Sequence, residues 1–105
     1  MEIGMAVEAL AALAQGSRLS IFRLLVRAGK QGVAAGALGE ELGIPPATLS
    51  FHLKTLAQAG LIKPRTEGRY VIYSADFAEM NKLIVYLTEH CCAGDAAQCA
   101  PINKC

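Results

Sequence analysis

The chain has 105 residues, 53% of them hydrophobic, and a formal net charge of +1. This length predicts one domain over residues 1–105, and the hydrophobic content excludes a disordered chain. The near-neutral charge excludes a uniformly basic nucleic-acid binder but leaves room for a local basic patch. Without the positive segment of a signal peptide or a run of about 18 apolar residues that could span a membrane, we expect a cytoplasmic protein with reduced thiols.

Three helices are predicted in the first part of the chain. Apolar residues at helical spacing indicate a helix over residues 5–15, after which Gly16 and Ser17 interrupt the pattern. Ser17 is a suitable N-cap for a second helix that ends at Gly29. A third helix is predicted at roughly 34–42, and the glycine that follows it is expected to end it.

The stretch GIPPATLSFHLKTLAQAGLI predicts a stiff connector and a fourth helix, with a proline in its first turn and Gly60 after its end. Two helices joined in this way form a helix-turn-helix. The face away from the leucine stripe carries small hydroxyl side chains and a lysine, which suit contacts with base edges and phosphates in a major groove. A helical hairpin with a solvated outer face is the alternative. The candidate DNA contacts are Thr48, Ser50, Phe51 and Lys54.

Two side chains of this helix have more than one interpretation. Phe51 is unusual on a surface that faces bases, and it either contacts a thymine methyl group or packs against the hairpin that follows. His52 lies at the edge of the apolar stripe and is interpreted as a hydrogen-bonded structural or phosphate-side histidine rather than a metal ligand.

A β-hairpin is predicted directly after the fourth helix. The sequence IKPRTEGRYVIYS alternates around a turn in which Gly68 supplies the unusual backbone angle. A hairpin in this position is a wing. Between residues 47 and 70 the positive residues Lys54, Lys63, Arg65 and Arg69 stand against Glu67 alone. We therefore predict that Lys63, Arg65 and Arg69 contact DNA phosphates.

The last predicted helix begins near Phe77, with Asp76 as its cap. Its apolar residues recur every three or four positions up to Cys91. In so short a chain this stripe favours a dimer interface, although additional core is the alternative. The predicted interface residues are Phe77, Met80, Ile84 and Leu87.

The chain up to Glu89 resembles the ArsR/SmtB family of winged-helix transcriptional repressors. The segments that carry the resemblance are ALAQGSRLSIFRLL, ELGIPPATLSFHLKTLAQAGLI and EGRYVIYS. It implies a mainly α, dimeric winged helix-turn-helix with a small β-hairpin, whose first and last helices form the dimer interface. It also implies a homodimer that binds double-stranded operator DNA and releases it when a signal is sensed. The fourth helix corresponds to the recognition helix of the family. Pro45 departs from the family, because many members have a serine at the start of that helix.

All four cysteines lie in residues 91–105, at positions 91, 92, 99 and 105. We place Cys91 and Cys92 at the end of the last helix, with Ala93 and Gly94 as a turn that lets both thiols reach one ion. Three thiolates suit trivalent arsenic, whereas four would suit zinc, cadmium or lead.

Resemblance to particular sensors of the family limits the range of ions that could act as the inducer. Some arsenic sensors of the family carry cysteines in the helix that precedes the recognition helix, where this chain reads AAGALGEEL. The zinc and nickel sensors of the family use Asp, His and Glu ligands, and this chain lacks a full set of them. A subgroup of the arsenic repressors has a Cys-Cys pair and a later cysteine after the last helix. That likeness implies that Cys91, Cys92 and Cys99 bind arsenite, or antimonite, and that Cys105 is dispensable.

Four other functions are considered. The protein could sense methylated trivalent arsenicals, a soft metal ion (cadmium, lead or zinc), or oxidation, through a disulfide between Cys92 and Cys99 or Cys105. Catalysis is not expected, because His90 is the nearest base to the thiols and a short helical domain has little room for a pocket. The sequence therefore predicts a repressor and not an enzyme.

Overall fold

The computed structural model describes residues 1–94. The mainly helical fold with a small antiparallel sheet agrees with the predicted winged helix-turn-helix. Its elements are α1 (Ile3–Leu13), α2 (Gly16–Ala28), a 3-10 turn (Gly29–Gln31), β1 (Val33–Ala34), α3 (Ala35–Leu42), α4 (Pro46–Gln58), β2 (Ile62–Glu67), β3 (Tyr70–Ala75), α5 (Phe77–Thr88) and a 3-10 turn (Cys91–Gly94).

Side-chain caps define the starts of two helices. The Gln15 side chain accepts a hydrogen bond from the backbone N–H of Arg18 at 2.8 Å and so caps α2. The prediction that Ser17 is this cap was wrong, because Ser17 lies inside the first turn of the helix. Asp76 accepts from the N–H of Glu79 at 3.1 Å, which confirms it as the cap of α5.

The core lies between α2, α3, α4 and the base of the sheet. Its largest fully buried side chains are Ile21, Leu25, Leu38, Leu56 and Leu61. Helix α1 packs on this core through small side chains, because the buried residues of that helix are Ala6, Ala9 and Ala12. Leu13 at the end of the helix also packs against the core, whereas Ile3 and Val7 are 70% and 58% exposed.

The sheet has the strand order β1-β3-β2, and both pairings are antiparallel. Strands β2 and β3 form the predicted wing, with Glu67 opposite Tyr70 and a turn at Gly68, whose φ is 62°. The sequence did not reveal β1, a strand of two residues that supports the wing at Ile72 and Tyr73. Beyond that support, residues 63–71 of the hairpin are exposed.

Within residues 1–94, no single helix is both long and apolar enough to cross a membrane. The pair formed by α1 and by α2 with its following turn meets the length and composition requirements of a membrane span, but the two parts are bent by 100° relative to each other.

Candidate DNA-binding surface and thiol site

Helix α4 presents one buried face and one exposed face, as the leucine pattern predicted. The buried side chains are Leu49, His52, Leu53 and Leu56. The predicted DNA contacts Thr48, Ser50, Phe51 and Lys54 all lie on exposed positions. The helix begins after Pro45, which provides no side-chain cap, although its carbonyl accepts the N–H of Leu49 at 2.9 Å. The exposed face is therefore a short row of polar groups around one aromatic ring.

Phe51 is the most apolar part of that row. Its side chain is 64% exposed, and its ring meets the ring of His52 edge to face, with centroids 6.0 Å apart. With this exposure, Phe51 does not pack against the wing, which was one of the two predicted arrangements.

His52 joins the recognition helix to two other helices through Arg18. The Arg18 Nη1 lies 3.4 Å from His52 Nδ1, and Arg18 Nε donates to the carbonyl of Ala12 at 2.7 Å. A guanidinium only donates, so Nδ1 is the acceptor and the ring proton sits on Nε2. His52 is 8% exposed, which favours the structural over the phosphate-side interpretation. Arg18 thus links the end of α1, the start of α2 and the inner face of α4.

We expect Arg18→Ala to lower the free energy of unfolding by about 2 kcal/mol, because it removes charge-assisted hydrogen bonds to a buried helix junction. Arg23→Ala is the matched control, since Arg23 is an exposed arginine on the same helix and should change stability by less than about 0.5 kcal/mol. Urea unfolding at one fixed protein concentration measures both. Equal losses in the two variants would show that the junction has no special role.

The wing carries its cations on exposed positions, as predicted for Lys63, Arg65 and Arg69. Arg65 differs from the other two, because its guanidinium donates to Glu67 and to the carbonyls of Lys30 and Gln31. Among residues 1–94, the side chains of Lys63 and Arg69 make no hydrogen bond or ion pair. Lys30 also borders the cleft at the wing base with Lys63 and Arg65. No sequence pattern predicted Lys30 as part of this surface, because it comes from the turn after α2.

Cys91 and Cys92 lie beyond the last helix, and not at its end as predicted. Helix α5 ends at Thr88, and Glu89 is extended with φ −62° and ψ 138°. His90, Cys92 and Ala93 have φ between 54° and 58°, a left-handed conformation that side chains other than glycine rarely adopt. The periodicity up to Cys91 was therefore misleading, because the backbone leaves the helix two residues before the first cysteine.

Cys91 is exposed, and Cys92 is disulfide-bonded. The predicted ligand Cys99 and the fourth cysteine, Cys105, lie outside the described residues. Within residues 1–94, three or more His, Cys, Asp or Glu side chains do not come together in a metal-binding cluster. The arsenic site at Cys91, Cys92 and Cys99 stays a prediction.

The predicted dimer stripe on α5 divides into two parts. Phe77 and Met80 pack against the core and are half-buried, and Leu83 is fully part of it. Assigning Phe77 and Met80 only to a dimer interface was therefore incomplete. Ile84 and Leu87 remain 38% and 56% exposed.

The electrostatics of α5 are local. The Glu79 carboxylate accepts a hydrogen bond from Lys82 at 2.9 Å, and this bond raises the pKa of Lys82. The Lys82 amine thus stays charged beside the exposed apolar residues of the helix.

Comparison with known proteins places this architecture in a family. A family profile described as a helix-turn-helix domain matches residues 13–65. The chain is 37% identical over 81 residues to the arsenical resistance operon repressor of Bacillus subtilis and covers 73% of that protein. The chain belongs to the ArsR/SmtB family of winged helix-turn-helix transcriptional regulators.

Solved structures of this family share the fold. An ArsR-like transcriptional regulator from Rhodococcus sp. RHA1 has a TM-score of 0.73 at 27% identity, over 87% of this chain and 82% of that one. HlyU from Vibrio cholerae has a TM-score of 0.69 at 31% identity, over 88% and 99%. A homodimeric winged helix-turn-helix domain of a possible ArsR-family regulator from Mycobacterium bovis has a TM-score of 0.65 at 28% identity, over 90% and 87%.

Relatives within the ArsR/SmtB family are regulators and not enzymes, which confirms the prediction on that point. The chain is 43% identical over 58 residues to YceK, an HTH-type transcriptional regulator of Bacillus subtilis, and spans 57% of its length. It spans 63% of the nodulation protein NolR of Rhizobium meliloti, at 31% identity. The chain thus spans less than two thirds of these two family members.

Proposed function

We propose that the protein is a homodimeric repressor that binds operator DNA and leaves it when trivalent arsenic, as arsenite or antimonite, binds to thiolates of Cys91, Cys92 and Cys99. One observation carries the proposal. Cys91 and Cys92 lie in the 3-10 turn Cys91–Gly94, separated by two residues from α5, which is the helix with exposed apolar residues through which two copies would meet. A ligand that reorganises this turn acts at the end of the predicted dimer helix.

DNA binding is supported by the surface of α4 and the wing. The exposed hydroxyl groups of Thr48 and Ser50 suit hydrogen bonds to base edges, and the exposed ring of Phe51 suits apolar contact with a thymine methyl group. Lys54, Lys63 and Arg69 supply positive charge for the phosphates on either side.

Dimerisation is supported by the apolar side chains that α1 and α5 leave exposed. On α1 these are Ile3, Val7 and Leu10, and on α5 they are Ile84, Val85 and Leu87. Large apolar side chains exposed in this number on two helices favour an interaction site. The similar domain from Mycobacterium bovis is homodimeric, and two copies would present two recognition helices to one duplex.

The choice of arsenic is supported by the ligand chemistry. Trivalent arsenic is thiophilic, and soft thiolates are the ligands that such ions prefer. The similar Bacillus subtilis protein is an arsenical resistance operon repressor. A cysteine in a disulfide cannot bind arsenic, so the disulfide of Cys92 must be reduced before the site can form.

That disulfide also favours a second candidate, a repressor on the same fold that senses oxidation. In this case two thiols give up two electrons and two protons to an oxidant such as a peroxide, and the resulting disulfide changes DNA affinity. The two candidates predict opposite requirements. Arsenic sensing needs reduced thiols and a bound ion, whereas redox sensing needs an oxidant and no ion.

The test uses the full chain, reduced with a phosphine that is removed before the titrations, and a duplex that the protein itself selects from a random-sequence library. Fluorescence anisotropy follows release of the duplex on addition of arsenite, zinc or hydrogen peroxide, and native mass spectrometry identifies the adduct. We expect one arsenic per thiol site and DNA release by arsenite alone. Release by peroxide without arsenite would support redox sensing, and release by zinc with a four-thiol adduct would support a soft-metal sensor.

A further inference from the structure

The base of the wing, at Tyr73 to Ala75, packs against the core, but its outer part depends on little besides strand pairing. Beyond Ile62, strand β2 is exposed along its whole length, and β1 supports β3 only at Ile72 and Tyr73. A two-stranded hairpin without further packing is marginally stable in water. The outer half of the wing therefore needs another constraint to keep a fixed position relative to α4.

Arg65 provides such a constraint across the sheet. In the strand register Arg65 lies opposite Ile72, and Ile72 lies opposite Ala34. The Arg65 side chain starts on the β2 edge of the sheet. Its Nη1 and Nη2 donate to the carbonyls of Lys30 and Gln31, at 3.1 and 2.7 Å, in the turn that precedes β1 on the other edge. One side chain thus ties both edges of the sheet together.

The turn that receives these bonds is itself fixed. The N–H of Gly32 donates to the carbonyl of Gly29 at 3.2 Å, and Gly32 has φ 70°. A Cβ at position 32 would lie 2.3 Å from the carbonyl oxygen of Tyr73, a distance that no side chain tolerates. The close approach of this glycine to β3 holds the two acceptor carbonyls in place.

The positive charge of Arg65 is also paired with a carboxylate. Its Nε donates to the Glu67 carboxylate on the same strand, and the two side chains are 42% and 57% exposed. By contrast, Arg69 at the wing tip makes no side-chain hydrogen bond within residues 1–94. A guanidinium held by two carbonyls and a carboxylate is less available to a phosphate than a guanidinium without such partners.

We infer that Arg65 is a positioning residue that sets the angle of the wing against the recognition helix, and not primarily a phosphate contact as the sequence predicted. The fork of two parallel N–H groups is essential to this role, because lysine carries the same charge but cannot bridge two neighbouring carbonyls in a fixed geometry. The effect of Arg65 on DNA affinity rests on the proposed DNA-binding function. The bonds from Arg65 to the carbonyls of Lys30 and Gln31, which we call the brace, exist in the free protein.

The experiment compares Arg65→Ala, Arg65→Lys and, as matched control, Arg69→Ala in the full reduced chain. NMR amide hydrogen exchange in the free protein reports the brace without DNA. Binding to a random-sequence 30-base-pair duplex at several salt concentrations reports phosphate contacts through the slope of log K against log salt.

We expect wing amides around Thr66 to Val71 to exchange about tenfold faster in both Arg65 variants, with α4 unchanged, because both lose the bridging fork. Both should bind DNA more weakly with the salt slope of the wild type. Arg69→Ala should keep wild-type exchange and lower the slope by about one unit per lost phosphate contact.

Two results would overturn the inference. One is wild-type wing exchange in Arg65→Ala. The other is a wild-type affinity and slope in Arg65→Lys together with a reduced slope in Arg65→Ala, which identifies a phosphate contact. If the wild type binds no DNA while the exchange pattern is as expected, the proposed function fails and the brace stands.

Discussion

Replacing Ile84 by aspartate should convert the proposed homodimer into folded monomers. Ile84 is 38% exposed in the single chain, so a carboxylate there remains hydrated in the monomer. In the dimer the same carboxylate would be buried, with its symmetry mate nearby, at a cost of several kcal/mol. Each 1.4 kcal/mol is a tenfold change, so the dimer dissociation constant should rise by about a hundredfold or more. Sedimentation velocity across a concentration series measures it.

Ile84→Ala is the matched variant, because it removes apolar area without introducing a charge, and it should weaken the dimer far less. Circular dichroism of both variants should match the wild type, which separates dissociation from unfolding. DNA affinity should fall with dimerisation, since a monomer engages only one half-site. A wild-type chain that sediments as a folded monomer at micromolar concentration would rule out the proposed assembly.

Removing any one of Cys91, Cys92 or Cys99 should abolish the response to arsenite while leaving DNA binding intact. In the wild type, we expect arsenite to weaken operator binding by about 5–150-fold, the usual range of allosteric coupling. Each single Cys→Ser variant should lose this weakening, because two sulfurs cannot complete the three-thiolate site. Anisotropy titrations in a phosphine reductant measure the effect, with Cys105→Ser as the matched control that behaves like the wild type.

Two outcomes would contradict that ligand set in different ways. A full arsenite response in Cys99→Ser would indicate a two-thiol site, which fits a methylated arsenical with two open positions. A response that requires Cys105 but not Cys91 would replace the assigned site by another set of thiols.

Local pattern was sufficient for most of the fold. Apolar spacing predicted the helices, and the turn glycine predicted the wing, because helices and hairpins are determined largely by neighbours in sequence. Predictions were wrong where two residues close in sequence could each define the end of a helix. Gln15 caps α2 in place of Ser17, and Glu89 ends α5 although Cys91 continues the apolar spacing. Strand β1 has only two residues, which is too short for any alternation to show.

The exposure of single residues on the candidate DNA-binding surface was predictable from the sequence, but the hydrogen bonds that join them to distant parts of the chain were not. Exposure of Thr48, Ser50 and Lys54 follows from the helical period. The bonds from Arg65 to Lys30 and Gln31 join residues 35 and 34 positions apart, and the contact between Arg18 and His52 joins residues 34 apart. Periodicity carries no information about such distances. The charge count identified cations that are exposed, but it could not distinguish a cation held by carbonyls from a cation without such partners.

The alanine face of α1 has a thermodynamic consequence for the whole protein. Because Ala6, Ala9 and Ala12 form the contact with the core, the helix contributes little apolar area to the stability of a single chain. Its larger side chains Ile3, Val7 and Leu10 remain 70%, 58% and 41% exposed in the single chain. Partner binding to the native state alone stabilises that state by mass action. For the proposed homodimer we therefore expect a melting temperature that rises with protein concentration.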